Sequence, residues 1–233
     1  SNRLASRNAP GRPFGTATPT SGLNPHRFVP RLISLAPSYW LVGDVTVRLV
    51  PTTTLLGVLT NSRHPIAGLP AALDGFTIVQ ITDRHGGPTV KAPFVRAVVE
   101  AVNRLDADVV AVTGDLVDGR VGDLAPDVAP LADLRARHGS YFVTGNHEYY
   151  SGAIEWTHAL SSLGLHVLLN EHVVLQHADA RVVIAGVSDW SAHHFVPKHR
   201  SDPEAAIAGA PADAGVRVLL AHQPRSAAAA AEA

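Results

Sequence analysis

Phe76-Thr77-Ile78-Val79-Gln80-Ile81-Thr82-Asp83 and Asp108-Val109-Val110-Ala111-Val112-Thr113-Gly114-Asp115 decide the fold. Each is a short apolar run, rich in β-branched residues, that ends in a carboxylate. Such runs predict buried strands. Between them, Phe94, Val95, Val98, Val99 and Val102 recur at helical spacing within residues 91–105. Strand, helix and strand in succession predict a βαβ unit with parallel strands.

The pattern continues downstream. Residues 126–137 read as a helix and 140–143 as a strand ending in Gly145-Asn146-His147. Residues 154–163 read as a further helix. Three more strands are expected over 165–169, 172–176 and 181–185. Residues 188–202 form a polar loop, 203–208 a short helix, and 216–221 a last strand ending at His222. The Ala-rich stretch 226–233 can start a helix. The fold class is α/β, with a largely parallel first half.

Upstream the sequence changes character. Residues 1–65 hold seven Arg and one acid, Asp44, for a net +6; residues 66–233 hold 12 Lys+Arg and 19 acids, for a net −7. The expected organisation is a basic, poorly ordered arm over 1–65 followed by the folded domain over 66–233. Residues 32–59 are more apolar, but Pro37, Asp44, Arg48 and Pro51 interrupt them. They make a poor membrane span.

Composition excludes several chemistries. Among 233 residues, 46 % are hydrophobic, enough for a sizeable core, and none is Cys. Disulfide frameworks, thiolate zinc sites and cysteine nucleophiles are therefore excluded. With 19 Lys+Arg against 20 Asp+Glu, no nucleic-acid partner is indicated. Gly86-Gly87-Pro88 fits a tight turn, but no Lys-Ser/Thr follows it, so a phosphate-binding P-loop is excluded. The chain has no Met and starts at Ser1, which leads to the expectation of a processed product or a piece of something longer.

In open α/β sheets, ligands bind beyond the carboxyl ends of the strands. Asp83 and His85 follow the first strand, Asp115 the second, Asn146 and His147 the third, and His222 the last. Taken singly, Asp83 and Asp115 read better as capping or turn acids, and His147 as a loop histidine. Taken together, they converge. Oxygen and imidazole donors without sulfur suit Mn, Fe, Zn, Ni or Mg.

These residues carry a resemblance. Asp83-Arg84-His85, Gly114-Asp115-Leu116-Val117-Asp118 and Gly145-Asn146-His147-Glu148 resemble the first three signatures of the calcineurin-like metallophosphoesterases, and His222 within Leu219-Leu220-Ala221-His222-Gln223-Pro224 resembles the fourth. The stretches 69–76 and 185–189 resemble a bacterial subgroup whose catalytic domain follows membrane helices. The resemblance implies a four-layer α/β/β/α sandwich and two divalent metal ions. Asp83 and His85 would bind the first ion, Asp115 would bridge both, and Asn146 and His222 would bind the second. His147 would stabilise the transition state or protonate the leaving oxygen. The implied reaction is attack of metal-bound hydroxide on a phosphate monoester or diester. Membrane proximity in the full-length protein is implied by the subgroup.

Two departures from the family pattern qualify this expectation. No Gly-His-X-His segment follows His222. The domain is thus expected to be incomplete at its C-terminus, with a thinned ligand set at each ion and an open sheet edge. The alternative function is a non-catalytic remnant, or a truncated fragment with impaired metal binding. Arg84 is the second departure, because relatives usually carry a small or apolar residue there. It can face a phosphate or point away, and the sequence leaves both open. Glu148, Asp118 and His138 read as supporting or solvated groups. His193 and His194 read as a surface pair, the alternative being a loop that borders the substrate cleft, and His158, His166, His172, His177 and His199 read as exposed. Trp156 and Trp190 read as packing residues.

Overall fold

A computed structural model describes the backbone of residues 32–34, 45–50 and 60–64, together with residues 66, 68–85, 87 and 90–232. The remainder of the expected arm, and Gly86 and Pro88 of the expected turn, lie outside the described residues.

Among the described residues, ten strands form two sheets. The larger has the order β3 (Thr60–His64), β2 (Val45–Val50), β4 (Thr77–Ile81), β5 (Val109–Val112), β6 (Ser140–Phe142), β7 (His166–Val167). From β2 to β7 its strands are parallel, and only β3 runs antiparallel. The smaller has the order β1 (Leu32–Ser34), β10 (Val216–Leu220), β9 (Ala180–Gly186), β8 (Glu171–His177).

The period-2 alternation of the strands sorts their side chains into two cores. Ile78, Val109, Ala111 and Val143 of the larger sheet pack against Val182, Ile184, Val218 and Leu220 of the smaller. Their sequence neighbours Val79, Ile81, Val110 and Val112 face the other way, onto the helices. There they meet Val95, Val98, Val99 and Val102 of α1 (Ala92–Asn103), Leu124 of α2 (Val121–Val128), and Trp156 and Leu160 of α4 (Ala153–Ser162). On the far face of the smaller sheet, Ala185 and Leu219 cluster with Ala206 of α5 (Pro203–Ile207) and Ala230 of α6 (Ser226–Glu232). The result is helix, sheet, sheet, helix, the expected α/β/β/α layering.

Several elements depart from the sequence reading. The helix expected over 126–137 begins at Val121 and ends at Val128, followed by a 3-10 turn over Ala129–Asp133. Pro130 has no N–H to give to the carbonyl four residues back, so the α-helical ladder stops there. A short helix, α3 (Asn146–Ser151), was not expected. Gly152, in the left-handed region at φ 99°, separates it from α4. Strand pairing also reaches back into residues 1–65, because β1, β2 and β3 all join sheets. In particular, β1 pairs in parallel with β10 through Leu32↔Arg217 to Ser34↔Leu219. That edge of β10 is therefore paired. Among the described residues, no helix is long and apolar enough to cross a membrane.

Candidate metal centre

Two loops at the carboxyl ends of β4 and β5 are stitched together by backbone. The Asp83 N–H donates to the Gly114 carbonyl at 3.2 Å, and the His85 N–H to the Asp115 carbonyl at 2.8 Å. Asp83, His85 and Asp115 all adopt positive φ, at 52°, 44° and 51°. Non-glycine residues in that region cost on the order of 1 kcal/mol each. That strain turns three polar side chains out of the strand direction and toward one place. Gly114 and Gly145 permit the close approach of the loops: a Cβ on Gly114 would strike the Gly145 backbone, and one on Gly145 would strike Asp115.

Asp115 is the centre of the cluster. It is 4 % exposed, yet three imidazoles face its Oδ2 through Nε2. His222 lies at 3.3 Å, His85 at 3.8 Å and His147 at 3.9 Å. Oδ1 accepts the His147 backbone N–H at 3.0 Å. Burial opposes the charge on Asp115. The His222 hydrogen bond, the His147 N–H and the charges of both histidines outweigh it and hold the carboxyl below its ordinary range. Burial likewise opposes the His222 imidazolium, but the Asp115 hydrogen bond and charge prevail, aided by the Thr113 carbonyl and Asp83. Its pKa is pushed up to about 9. His222 Nδ1 donates to the Thr113 carbonyl at 2.9 Å. That bond fixes the tautomer and leaves Nε2 directed at Asp115, the usual support of a metal-ligating histidine.

Asp83, His85 and Asp115 bring one donor atom each within 4.8 Å of one another, and so do His85, Asp118 and His147. The Thr82 hydroxyl donates to Asp83 Oδ2 at 2.6 Å. Asn146 is the first residue of α3 and precedes His147 directly. The candidate residues thus come from the ends of β4, β5, β6 and β10, across both sheets.

Glu148 and Asp118 belong to this site more firmly than the sequence suggested. Glu148 is wholly buried. Its Oε2 accepts the backbone N–H of Gly145 at 2.7 Å and of Asp115 at 3.0 Å, and its Oε1 accepts those of Leu116 at 2.8 Å and Val117 at 3.3 Å. One carboxylate therefore fastens the Asp115 loop to the Asn146 loop. Burial pushes its pKa up, and the backbone donors pull against that shift. The signal was present: Glu148 stands at the third helical position, where a glutamate reaches back to the cap residue's N–H. Asp118 Oδ1 lies 3.3 Å from His147 Nδ1, the carboxylate–imidazole pairing that orients a ring.

Arg84 points away from the cluster. Its guanidinium lies 4.8 Å over the Phe94 ring. It lines a cavity of about 10 Å³ with Val95, Leu116, Leu124 and Asp127. The residue is 4 % exposed, and neither Nη atom has a hydrogen-bond partner. Desolvation lowers its pKa to about 10. On the open side of the site, Tyr150 stands 5.3 Å from the His147 ring and Phe195 5.4 Å from Tyr150. The loop carrying His193 and His194 therefore borders the site. Trp156 is fully buried, with its indole N–H donating to the Gly119 carbonyl, and Trp190 is 39 % exposed. His158 and His166 are exposed as expected. His172, His177 and His199 are instead half-buried and bonded, to Ala206, His138 and Tyr149 respectively.

Comparison with known proteins agrees with this geometry. The profile of the calcineurin-like phosphoesterase family matches residues 76–230. A "Transmembrane protein with metallophosphoesterase domain" of Danio rerio is 38 % identical over 168 residues, covering 70 % of this chain and 38 % of that protein. The Bos taurus protein of the same name is 39 % identical over 178 residues, covering 72 % and 40 %. An "Uncharacterized metallophosphoesterase" of Helicobacter pylori is 34 % identical over 177 residues, covering 70 % and 44 %. The chain spans about two-fifths of the length of these relatives. By the match over 76–230 and the site it encloses, this chain belongs to the calcineurin-like phosphoesterase family.

Proposed function

We propose that this chain carries the catalytic domain of a metal-dependent hydrolase of phosphoric esters, acting on phosphate monoesters or diesters at a dinuclear centre. The observation that carries the reading is the approach of three imidazole Nε2 atoms to within 3.3–3.9 Å of one buried Asp115 oxygen. Without a cation, such an arrangement gathers groups that gain little from one another beyond a single shared proton.

The donor set fits divalent ions of the Mn, Fe, Zn, Ni or Mg type. In this reading Asp83 and His85 would hold one ion, Asn146 and His222 the other, and Asp115 would be a ligand of both. Bound there, the pair supplies Lewis acidity and a water of lowered pKa. The chain's own residues do the rest. Glu148 holds the two ligand loops in register, and the Thr113 carbonyl keeps His222 Nε2 available. His147 is the general acid: Asp118 at Nδ1 orients the ring, and Nε2 carries the proton that passes to the leaving oxygen. Arg84, buried under the helices, takes no part in phosphate binding.

The folded unit is assigned to 66–233, with β1, β2 and β3 adding to its two sheets. The names of the Danio rerio and Bos taurus relatives support placing this domain beside a membrane in the full-length protein. The test is hydrolysis of an aryl phosphate by the chain with manganese. Metal-dependent turnover that Asp115→Asn abolishes is the expected result. Equal activity in Asp115→Asn would refute the assignment of Asp115.

A further inference from the structure

A second group of metal-competent side chains lies at the other end of the sheets. Asp108 immediately precedes β5 and His138 precedes β6, whereas Asp115 and His147 follow those strands. His177 closes β8 and pairs with Ala180 at the start of β9. Strand polarity thus places Asp108, His138 and His177 at the amino ends of β5, β6 and β9, opposite the catalytic cluster.

The three side chains form a compact set. His138 Nε2 and His177 Nδ1 lie 2.9 Å apart, and His177 Nδ1 lies 3.7 Å from Asp108 Oδ1. One donor atom from each lies within 4.8 Å of the others. Asp108 and His177 are sheltered, their side chains 10 % and 14 % exposed. Phe76 floors the group, its ring 5.1 Å from His177 and 6.1 Å from His138.

Two of the three are also held from behind. The Thr77 N–H donates to Asp108 Oδ2 at 2.8 Å, leaving Oδ1 turned to the histidines. The His138 N–H donates to the Asp108 carbonyl at 2.8 Å, and the Tyr141 hydroxyl donates to the His138 carbonyl at 2.7 Å. These bonds position the Asp108 carboxylate and the His138 backbone while leaving the facing ring nitrogens to each other. Such outer contacts are what a metal site requires of its surroundings.

We propose that Asp108, His138 and His177 form a zinc-class divalent cation site that clips the two β-sheets together at the end remote from Asp115. Two imidazoles and one carboxylate make a three-ligand zinc set with a fourth position for water. Tetrahedral zinc separates its nitrogen ligands by about 3.3 Å, so the 2.9 Å contact must open by only about 0.4 Å. When zinc binds, the ring that donates in this contact changes tautomer, its proton passing from the facing nitrogen to the other ring nitrogen, so that both histidines bind as neutral imidazoles. The site crosses between layers, because Asp108 and His138 lead into strands of the larger sheet and His177 ends a strand of the smaller. Arg137 competes with the ion: its Nη1 lies 3.0 Å from Asp108 Oδ1, on a side chain 61 % exposed that is free to swing away.

This inference does not depend on the phosphoesterase reading, and its test does not measure activity. Zinc is titrated calorimetrically into the chelator-treated full chain and into single variants. One class of zinc site is expected to persist in Asp115→Asn and to weaken by at least about a hundredfold in His138→Gln and in His177→Gln. Arg137→Gln, which removes no ligand, is expected to tighten the same site several-fold. Each variant's circular dichroism without metal confirms that it folds. Unchanged zinc stoichiometry and affinity in both folded histidine variants would overturn the proposal. So would an anomalous map of zinc-soaked crystals with no peak between the three side chains.

Discussion

His222 Nε2 lies 3.3 Å from Asp115 Oδ2, although the two residues end strands of different sheets. This contact joins the layers at the carboxyl end, and its energy depends on pH when no metal is bound. The pKa of His222 is raised from 6.5 to about 9, so the stabilisation it brings is complete below pH 6.5 and is lost as pH rises through about 9. The pKa of Asp115 is depressed from 3.8, so its share is present above that value and is lost as pH falls through the folded value. Chelator-treated protein is therefore expected to melt highest between these limits. Asp115→Asn should flatten the profile on both sides, as thermal melts across pH will show.

As a metal ligand, His222 would offer the metal the same nitrogen that the proton occupies. Metal binding should therefore release protons and tighten as pH rises toward about 9. Titration in buffers of different ionisation enthalpy measures that release. Zero release near pH 7 would contradict a ligand role for His222.

Glu148→Gln replaces one acceptor oxygen with an NH₂ group facing backbone N–H donors. Two of the four bonds described above would be lost, leaving buried donors unsatisfied. The expected cost is about 2–4 kcal/mol by urea denaturation. Metal affinity should fall as well, because the Asp115 and Asn146 loops lose their common anchor.

Asp118→Asn leaves His147 in place but weakens its orientation. A fall in kcat of about tenfold with KM nearly unchanged is expected in steady-state assays with aryl phosphate. A change confined to KM would reassign Asp118 to substrate binding.

Arg84→Met removes a buried cation whose two Nη atoms have no hydrogen-bond partner. The variant should gain about 1–3 kcal/mol in stability, read as a higher urea midpoint, with hydrolysis preserved. A rise in KM would place Arg84 on the substrate instead.

Much of the site was legible because its residues follow apolar runs directly. Asp83, Asp115, Asn146 and His222 each come within a few positions of a buried strand, and parallel strands bring such positions together. The orientation of Arg84 was not legible. The positive φ of both Asp83 and His85 sets the faces of that loop, and a strand-like alternation does not describe it. The two prolines in 126–137 concealed the helix boundary, because Pro126 reads as a first-turn residue but sits inside α2. Pairing of β1 with β10 was hidden as well, since three residues carry too little pattern to announce an edge strand. The Asp108, His138 and His177 group had no signature, because its members meet only through the packing of one sheet on the other.

In the proposed reading Asp115 bridges two ions. Anomalous diffraction at the manganese edge, from crystals of the full chain soaked in manganese, decides between this and a single-ion centre. Two peaks about 3.5–4 Å apart are expected, one on each side of the Asp115 carboxylate, with His85 and His222 on opposite ions. A single peak, or peaks that leave Asp115 uncoordinated, would contradict it.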